Sequence, residues 1–312
     1  MTRRLAVLIA VFLGFVGSAR ANGDLALQAC YDANDRGDYA AAIDLCTRAA
    51  ESGNLSDGDA AEALNDRGNA YNRSGDYDRA IESYGEAIRR KPDFEDAYFD
   101  RANAYDFKDE YELAVKDYSK AIELRPDDAN AYLYRGNSHS LAGDYANAVR
   151  DFETAAKMAP SFADVATWSK GVALFNLGRF SDAAAAFQSY LKVRPDYMFG
   201  ALWLYLAEAH AGKDAKKAFA DRASTLDPNH WPAPIVRFYL GAATRDDVLA
   251  AAKTGDPSYL IQQACEAAFY LGEFYLLTGK AEDAHRDLTQ ASTTCPKSSA
   301  ERGAAQTELD RK

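Results

Sequence analysis

The four histidines, at 139, 210, 230 and 285, are the first residues to test for chemistry, and they stand far apart. None lies in a metal-ligating spacing such as H-E-x-x-H, and no phosphate-cradling glycine loop of the G-x-x-x-x-G-K-[ST] or G-x-G-x-x-G kind occurs. Ser138 sits in Gly136-Asn137-Ser138-His139-Ser140, which lacks the second glycine that a nucleophile elbow requires. The acidic clusters Phe94-Glu95-Asp96 and Pro126-Asp127-Asp128 fall where helices would begin. Negative charge is favourable there, so calcium is not needed to explain them. A minor alternative places an enzymatic site near His230 and Trp231. These residues otherwise read as a non-catalytic chain with no cofactor and no metal ligands.

What the chain does repeat is a 34-residue phrase. LNDRGNAYNRSGDYDRAIESYGEAIRRKPD, from Leu64, is followed by YFDRANAYDFKDEYELAVKDYSKAIELRPD, ending at Asp127. Tyr71 recurs as Tyr105, Ala80 as Ala114, Tyr84 as Tyr118, Ala87 as Ala121 and Pro92 as Pro126. A fixed period of this length marks stacked helical hairpins, because one hairpin cannot bury its apolar face alone. The expected repeats are near 23–56, 61–94, 95–128, 129–162 and 164–197. Residues 198–264 read as a degenerate repeat and irregular helices, and 265–312 as a final repeat with a capping helix that shields its open face. Turn signals divide each repeat at Gly37, Gly75, Asp109, Gly143 and Gly178, and prolines close four of the five. Small residues at Gly68, Ala80 and Ala87 let paired helices approach, with Tyr71 and Tyr84 filling the space between neighbours. His139 occupies the place of Tyr71 and Tyr105 and reads as filler. The fold class is therefore all-α, a right-handed superhelical array.

Stacked first helices present one continuous surface, and the repeat frame projects specific residues onto it. One repeat contributes Asn65, Asp66, Asn69, Asn72 and Arg73, and the next Phe99, Asp100, Asn103 and Asp106. Leu133, Tyr134 and Asn137 follow, then Trp168 and Val172. Asn69, Asn103 and Asn137 form a ladder of side-chain amides, each able to donate and to accept, which suits the backbone of a bound peptide. Phe99, Tyr134 and Trp168 suggest an apolar anchor. Asp66 and Asp100 favour basic groups and disfavour an acidic C-terminal peptide.

Residues 1–21 read as a cleavable export signal, with Arg3 and Arg4, an apolar run over 5–16 and the small-x-small site Ala19-Arg20-Ala21. That run is too short to span a bilayer, so no transmembrane segment is expected. Leu27-Gln28-Ala29-Cys30 has some likeness to a lipoprotein box. Asp24 separates it from the apolar run, and glutamine is unusual at that place, which argues against a lipid anchor. Removing the signal takes away three arginines and no acid, so the net charge falls from −11 to −14. Such a surface repels phosphate backbones and excludes nucleic acid and anionic membranes as partners. Four cysteines in an exported chain point to two disulfides. The hairpin frame pairs Cys30 with Cys46 and Cys265 with Cys295, each pair spanning two antiparallel helices.

The repeated residues resemble the tetratricopeptide repeat, which has small residues where Gly68, Ala80 and Ala87 stand and proline where Pro92 stands. Asparagine is common at the ladder position in that family, so a structural role for the amides stays open. The later segments LeuTrpLeuTyrLeuAlaGlu at 202–208, Trp231 to PheTyrLeuGly at 238–241, and PheTyrLeuGly at 269–272 resemble, in that order, the NlpI-type periplasmic scaffolds. That resemblance implies an adaptor holding a C-terminal-processing protease, peptidoglycan hydrolases or both, and a homodimer. An assembly factor without a protease partner is the alternative. The repeat frame makes a direct prediction. Ala80→Leu should overpack the hairpin and cost roughly 1–3 kcal/mol; an unchanged melting midpoint would contradict the frame.

Overall fold

Small residues decide where the two helices of each hairpin meet. A Cβ added to Gly68 would lie 2.5 Å from the Tyr84 ring, and one added to Gly136 would lie 2.8 Å from Phe152. The same conflict arises between Gly171 and Phe187, and between Gly272 and Leu288, each at 2.7 Å. Ala80, Ala114 and Ala148 complete these contacts with no exposed surface, as the repeat frame requires. Glycine is tolerated inside these helices because the ring or leucine of the partner helix occupies the space a Cβ would take.

The computed structural model describes residues 23, 25–224 and 230–311, so the expected export signal lies outside the described residues. All regular secondary structure among these residues is helical. The chain divides into two compact units, Met1–Ala131 and Tyr132–Lys312. The first contains α1 (residues 25–35), α2 (Tyr39–Glu51), α3 (Asp57–Arg73), α4 (Tyr77–Arg90), α5 (Glu95–Phe107) and α6 (Tyr111–Leu124). Helix α7 (Ala129–Leu141) carries the chain onward to α8 (Tyr145–Met158), α9 (Ala163–Asn176), α10 (Phe180–Val193), α11 (Met198–His210) and α12 (Lys216–Ala223). Two short helices follow, α13 (Ala233–Tyr239) and α14 (Arg245–Ala251), before α15 (Leu260–Leu277), α16 (Ala281–Thr294) and α17 (Ala300–Asp310).

Local sequence explains the boundaries. Asp38, Asp76 and Asp144 cap their helices by accepting backbone N–H groups of Ala41, Arg79 and Asn147. Gly75 adopts φ +82°, which lets the Asp76 N–H turn back to the Tyr71 carbonyl at 2.9 Å. The third hairpin makes the same turn with Asp109 at φ +61°, a conformation that carries a steric cost for any residue with a Cβ.

Within the first unit, first helices touch one another through polar pairs. The Tyr31 hydroxyl donates to Glu62 at 2.8 Å, Asn34 Nδ2 to the Asp66 carbonyl at 2.9 Å, and Asn65 Nδ2 to Asp100 at 2.9 Å. Inside hairpins a second repeated device appears. Arg101 holds Asp117 through two bonds of 2.6 and 2.9 Å, and Arg135 holds Asp151 through two of 2.8 and 2.7 Å. Arg67, in the equivalent place, uses Ser83 and Glu86. Both aspartates are buried, so losing the arginine would strand a charge, at a cost of roughly 3–5 kcal/mol.

Both expected disulfides are present, with S–S distances of 2.06 Å for Cys30–Cys46 and 2.09 Å for Cys265–Cys295. Cys30 is thus bonded to protein rather than offering a thiol to lipid. No described helix is long and apolar enough to cross a membrane. The C-terminal segment covers the last repeat as expected, and it also reaches further back along the chain. Helix α17 packs on α15 and α16 and also against α9, because the Arg311 Nη2 donates to the carbonyls of Phe175 and Asn176 at 2.8 and 2.9 Å. It joins the repeats well before the last one as well as covering that last one. Gly68→Ala should destabilise the first unit by roughly 1–3 kcal/mol. Combined with Tyr84→Leu the loss should be less than additive by thermal melting, since the second change removes the obstructing ring.

Candidate functional site

In the first unit the projected surface is partly there and partly consumed by the fold. Asn65 is corrected: it is 7% exposed, and its amide binds Asp100, so it supports the surface from beneath. Asn69 and Asn103 each spend their side-chain oxygen on the hydroxyl of a buried tyrosine, Tyr84 at 2.8 Å and Tyr118 at 2.7 Å. That is the structural role the asparagine position allowed for. Phe99 is half-buried, its ring 5.3 Å from Tyr118 in an edge contact, which leaves less of it to act as an anchor. Asn72 is half-buried with a side-chain oxygen that has no partner, and Arg73 is exposed.

Asp66 and Asp100 do come together electrostatically. Burial is the main cause that pushes each carboxyl up to about 6, and for Asp66 the neighbouring Asp100 adds to it. Hydrogen bonds from Asn69 and Asn65 pull the other way, as does Arg73 for Asp100. A basic group arriving between these acids would relieve their repulsion.

The second unit holds a cavity of about 900 Å³. Its walls are α7 and α9 on one side and the segment from Lys297 through α17 on the other. Asn137, Trp168 and Val172, all projected from the sequence, line it. Tyr134 stands outside it, 41% exposed. Trp168 is half-buried among Phe187, Tyr190, Tyr197 and Trp203, with ring centroids between 5.3 and 6.2 Å, so its ring is held in one place at the wall. Ser140 and Asn176 also line it, and their side-chain oxygens, Ser140 Oγ and Asn176 Oδ1, are buried without partners. The second unit replaces Tyr84 and Tyr118 with Phe152, which has no hydroxyl to occupy the amide of Asn137.

Sequence reasoning missed Ser140, Asn176, Lys297 and Arg302. The first two lie at the ends of helices that the frame had placed correctly, and their helical phase could have found them. Lys297 and Arg302 reach the cavity only because α17 folds back. They set two positive charges on this wall against the one negative charge of Asp310, so the exclusion of acidic ligands drawn from Asp66 and Asp100 does not extend to the second unit.

The remaining candidates for chemistry have structural partners. Ser138 is fully buried, and its hydroxyl donates to the Tyr134 carbonyl at 3.1 Å. His139 is more than filler: its Nδ1 is 3.4 Å from Asp144 and its Nε2 is 3.9 Å from Asp151. Burial holds its pKa below the usual imidazole value, against the opposing pull of the two acids. Trp231 donates its ring N–H to Glu266, which fixes it to α15. His230 beside it is exposed.

The two raised aspartates predict an unusual pH response. Folded Asp66 and Asp100 hold protons up to about pH 6, whereas the unfolded chain releases them near 3.8. The folded state therefore carries more protons between those values, and their contribution to stability falls as pH rises through that window. Asp100→Asn should raise stability at pH 7 by roughly 1 kcal/mol, given partial screening by solvent, and flatten the melting temperature between pH 4 and 6.

Comparison with known proteins agrees with this architecture. A TPR repeat model matches residues 68–106 and 108–143, and a tetratricopeptide repeat model matches 135–197 and 169–234. Among solved structures, a tetratricopeptide repeat protein from Parabacteroides merdae aligns over 92% of this chain and 99% of its own, at 16% identity and TM-score 0.55. The C-terminal part of a TPR repeat-containing protein from Cytophaga hutchinsonii aligns over 86% and 95%, at 16% identity and TM-score 0.54. YrrB, described as a TPR protein with an unusual peptide-binding site, aligns over 55% and 89%, at 19% identity and TM-score 0.50. At these identities the likeness establishes the fold. With repeat models matching between residues 68 and 234, the chain belongs to the tetratricopeptide repeat family.

Proposed function

We propose that this chain is a non-catalytic scaffold that holds an extended peptide segment of a partner protein in the cavity of its second unit. The observation that carries the reading is the pair of unpartnered buried atoms at that cavity, Ser140 Oγ and Asn176 Oδ1. A serine hydroxyl can donate and an asparagine oxygen can accept, so together they match the alternating groups of a peptide backbone. Leaving such atoms dry and unpaired is costly, and a bound backbone would satisfy both. Trp168 offers an immobile apolar surface for one side chain, and Lys297 and Arg302 offer positive charge to a carboxylate. A volume of about 900 Å³ accommodates a few residues of peptide.

The setting of this activity is an exported, disulfide-containing chain in the bacterial envelope. The partner classes in this reading are a C-terminal-processing protease and peptidoglycan hydrolases. A scaffold that holds two proteins raises each to roughly millimolar effective concentration for the other. Tetratricopeptide repeat proteins commonly bind proteins or peptides, which supports the general reading, and the NlpI-type sequence resemblance supports the particular partners.

The test is affinity capture from solubilised envelope extract with the native chain and with Ser169→Trp, which fills the cavity from α9. Capture of a processing protease or wall hydrolase by the native chain and its loss with the variant is the expected result. A peptide from the captured partner should then bind at least tenfold more weakly to the variant, a change of about 1.4 kcal/mol. Equal capture by both would move the interface to another surface. Absence of both enzyme classes would favour assembly of envelope complexes without a protease.

A further inference from the structure

Three ionisable side chains remote in sequence converge where α11, α15 and α17 meet. His210 ends α11, Glu273 lies inside α15 and Glu308 lies in α17. One ligand atom from each falls within 4.8 Å of the others. His210 Nε2 is 2.7 Å from Glu273 Oε2. Glu273 has no exposed surface, and Glu308 is 8% exposed. Aromatic rings close one side: His210 stacks on Phe180 at 4.6 Å and meets the edge of Phe175 at 5.4 Å.

Two carboxylates in such a place require compensation. Glu308 has the Arg311 guanidinium in contact. Glu273 has His210 on one oxygen, but its other oxygen, Oε1, is buried without any partner. A fully buried orphan carboxylate oxygen is rare in a folded chain and calls for a ligand that the protein alone does not supply.

We propose that His210, Glu273 and Glu308 form a binding site for a divalent transition-metal ion of the zinc type. One imidazole nitrogen and two carboxylate oxygens are a donor set that zinc accepts, with a fourth position left for water. The imidazole nitrogen disfavours calcium and magnesium, which take oxygen donors. Ligand atoms around tetrahedral zinc lie about 3.4 Å apart, so the widest separation of 4.8 Å needs to close by about 1.4 Å and the 2.7 Å contact of His210 with Glu273 to open by about 0.7 Å. Arg311 need not leave when Glu308 turns toward the ion. Its guanidinium keeps the carbonyls of Phe175 and Asn176 and a seat 4.9 Å over the Phe180 ring. The ion ties together three helices that are distant in the chain and fixes α17, the wall of the cavity, in its folded-back position.

The experiment uses the full chain, stripped with chelator and then titrated with Zn²⁺ alone. Elemental analysis after dialysis should find one equivalent retained, and the melting temperature should rise with free Zn²⁺. His210→Gln and Glu273→Gln should lose both the equivalent and the thermal shift. Should the Glu273 variant fail to fold, Arg311→Gln supplies an independent arm. It removes the cation that competes for Glu308 and should tighten Zn²⁺ binding at least threefold, whereas a plain ion-pair network would lose stability and gain no affinity. The proposal is overturned by a native chain that binds no Zn²⁺, by folded His210 or Glu273 variants that bind it unchanged, by an Arg311 variant that binds no tighter, or by Ca²⁺ binding as strongly as Zn²⁺.

Discussion

The close approach of a residue without a Cβ to a large partner side chain is the contact on which both units depend. Gly68 against Tyr84, Gly136 against Phe152, Gly171 against Phe187 and Gly272 against Leu288 are four versions of it. Each sets the separation of its two helices, and that separation determines which residues of the first helix remain at the surface. Tyr84, Phe152 and Phe187 are each no more than 1% exposed, so the contact also supplies much of each hairpin's buried apolar area. The irregular region keeps its own dense aromatic packing, with Trp203 in ring contact with Phe175, Phe187 and Phe269. There the core is built from large rings against one another, and the repeat signal in the sequence fades accordingly.

The two units treat the same repeat position differently. In the first, tyrosine hydroxyls reach up from the second helices and occupy Asn69 and Asn103. In the second, the phenylalanine at 152 leaves the amide of Asn137 at a cavity wall. A single oxygen atom on the partner ring thus separates an amide that serves the core from one that lines an opening. The charge differs as well: Asp66 and Asp100 mark the first unit, Lys297 and Arg302 the cavity of the second.

Period-34 residues made the hairpins legible, because glycine, alanine and tyrosine at fixed offsets report local packing within a few turns of helix. The same frame identified Asn137, Trp168 and Val172, since helical phase alone decides which way they face. It placed Asn65 on the surface wrongly, because one step of helical rotation separates an exposed position from one lying against the next repeat. Ser140 and Asn176, near the ends of α7 and α9, were open to the same reasoning, whereas Lys297, Arg302 and the meeting of Glu308 with His210 and Glu273 were hidden for another reason. They depend on α17 returning to α9 and α11, and no periodic signal encodes a contact between helices so far apart in the chain.

That return has a consequence for how the molecule forms. Contacts in the first unit join near neighbours: Tyr84 meets Asn69 across 15 residues and Asn65 meets Asp100 across 35. Such an array can nucleate at any hairpin and zip outward. The second unit must also close a far larger loop, since Arg311 bonds to Phe175 across 136 residues and Tyr145 meets Thr307 across 162. Chain entropy makes this closure only slightly more costly than a shorter one, about 0.6 kcal/mol per doubling of length. Its cost falls on time, because non-local contacts form late. The hairpins of the second unit can therefore stand with their cavity open on one side, and the wall that completes it arrives last.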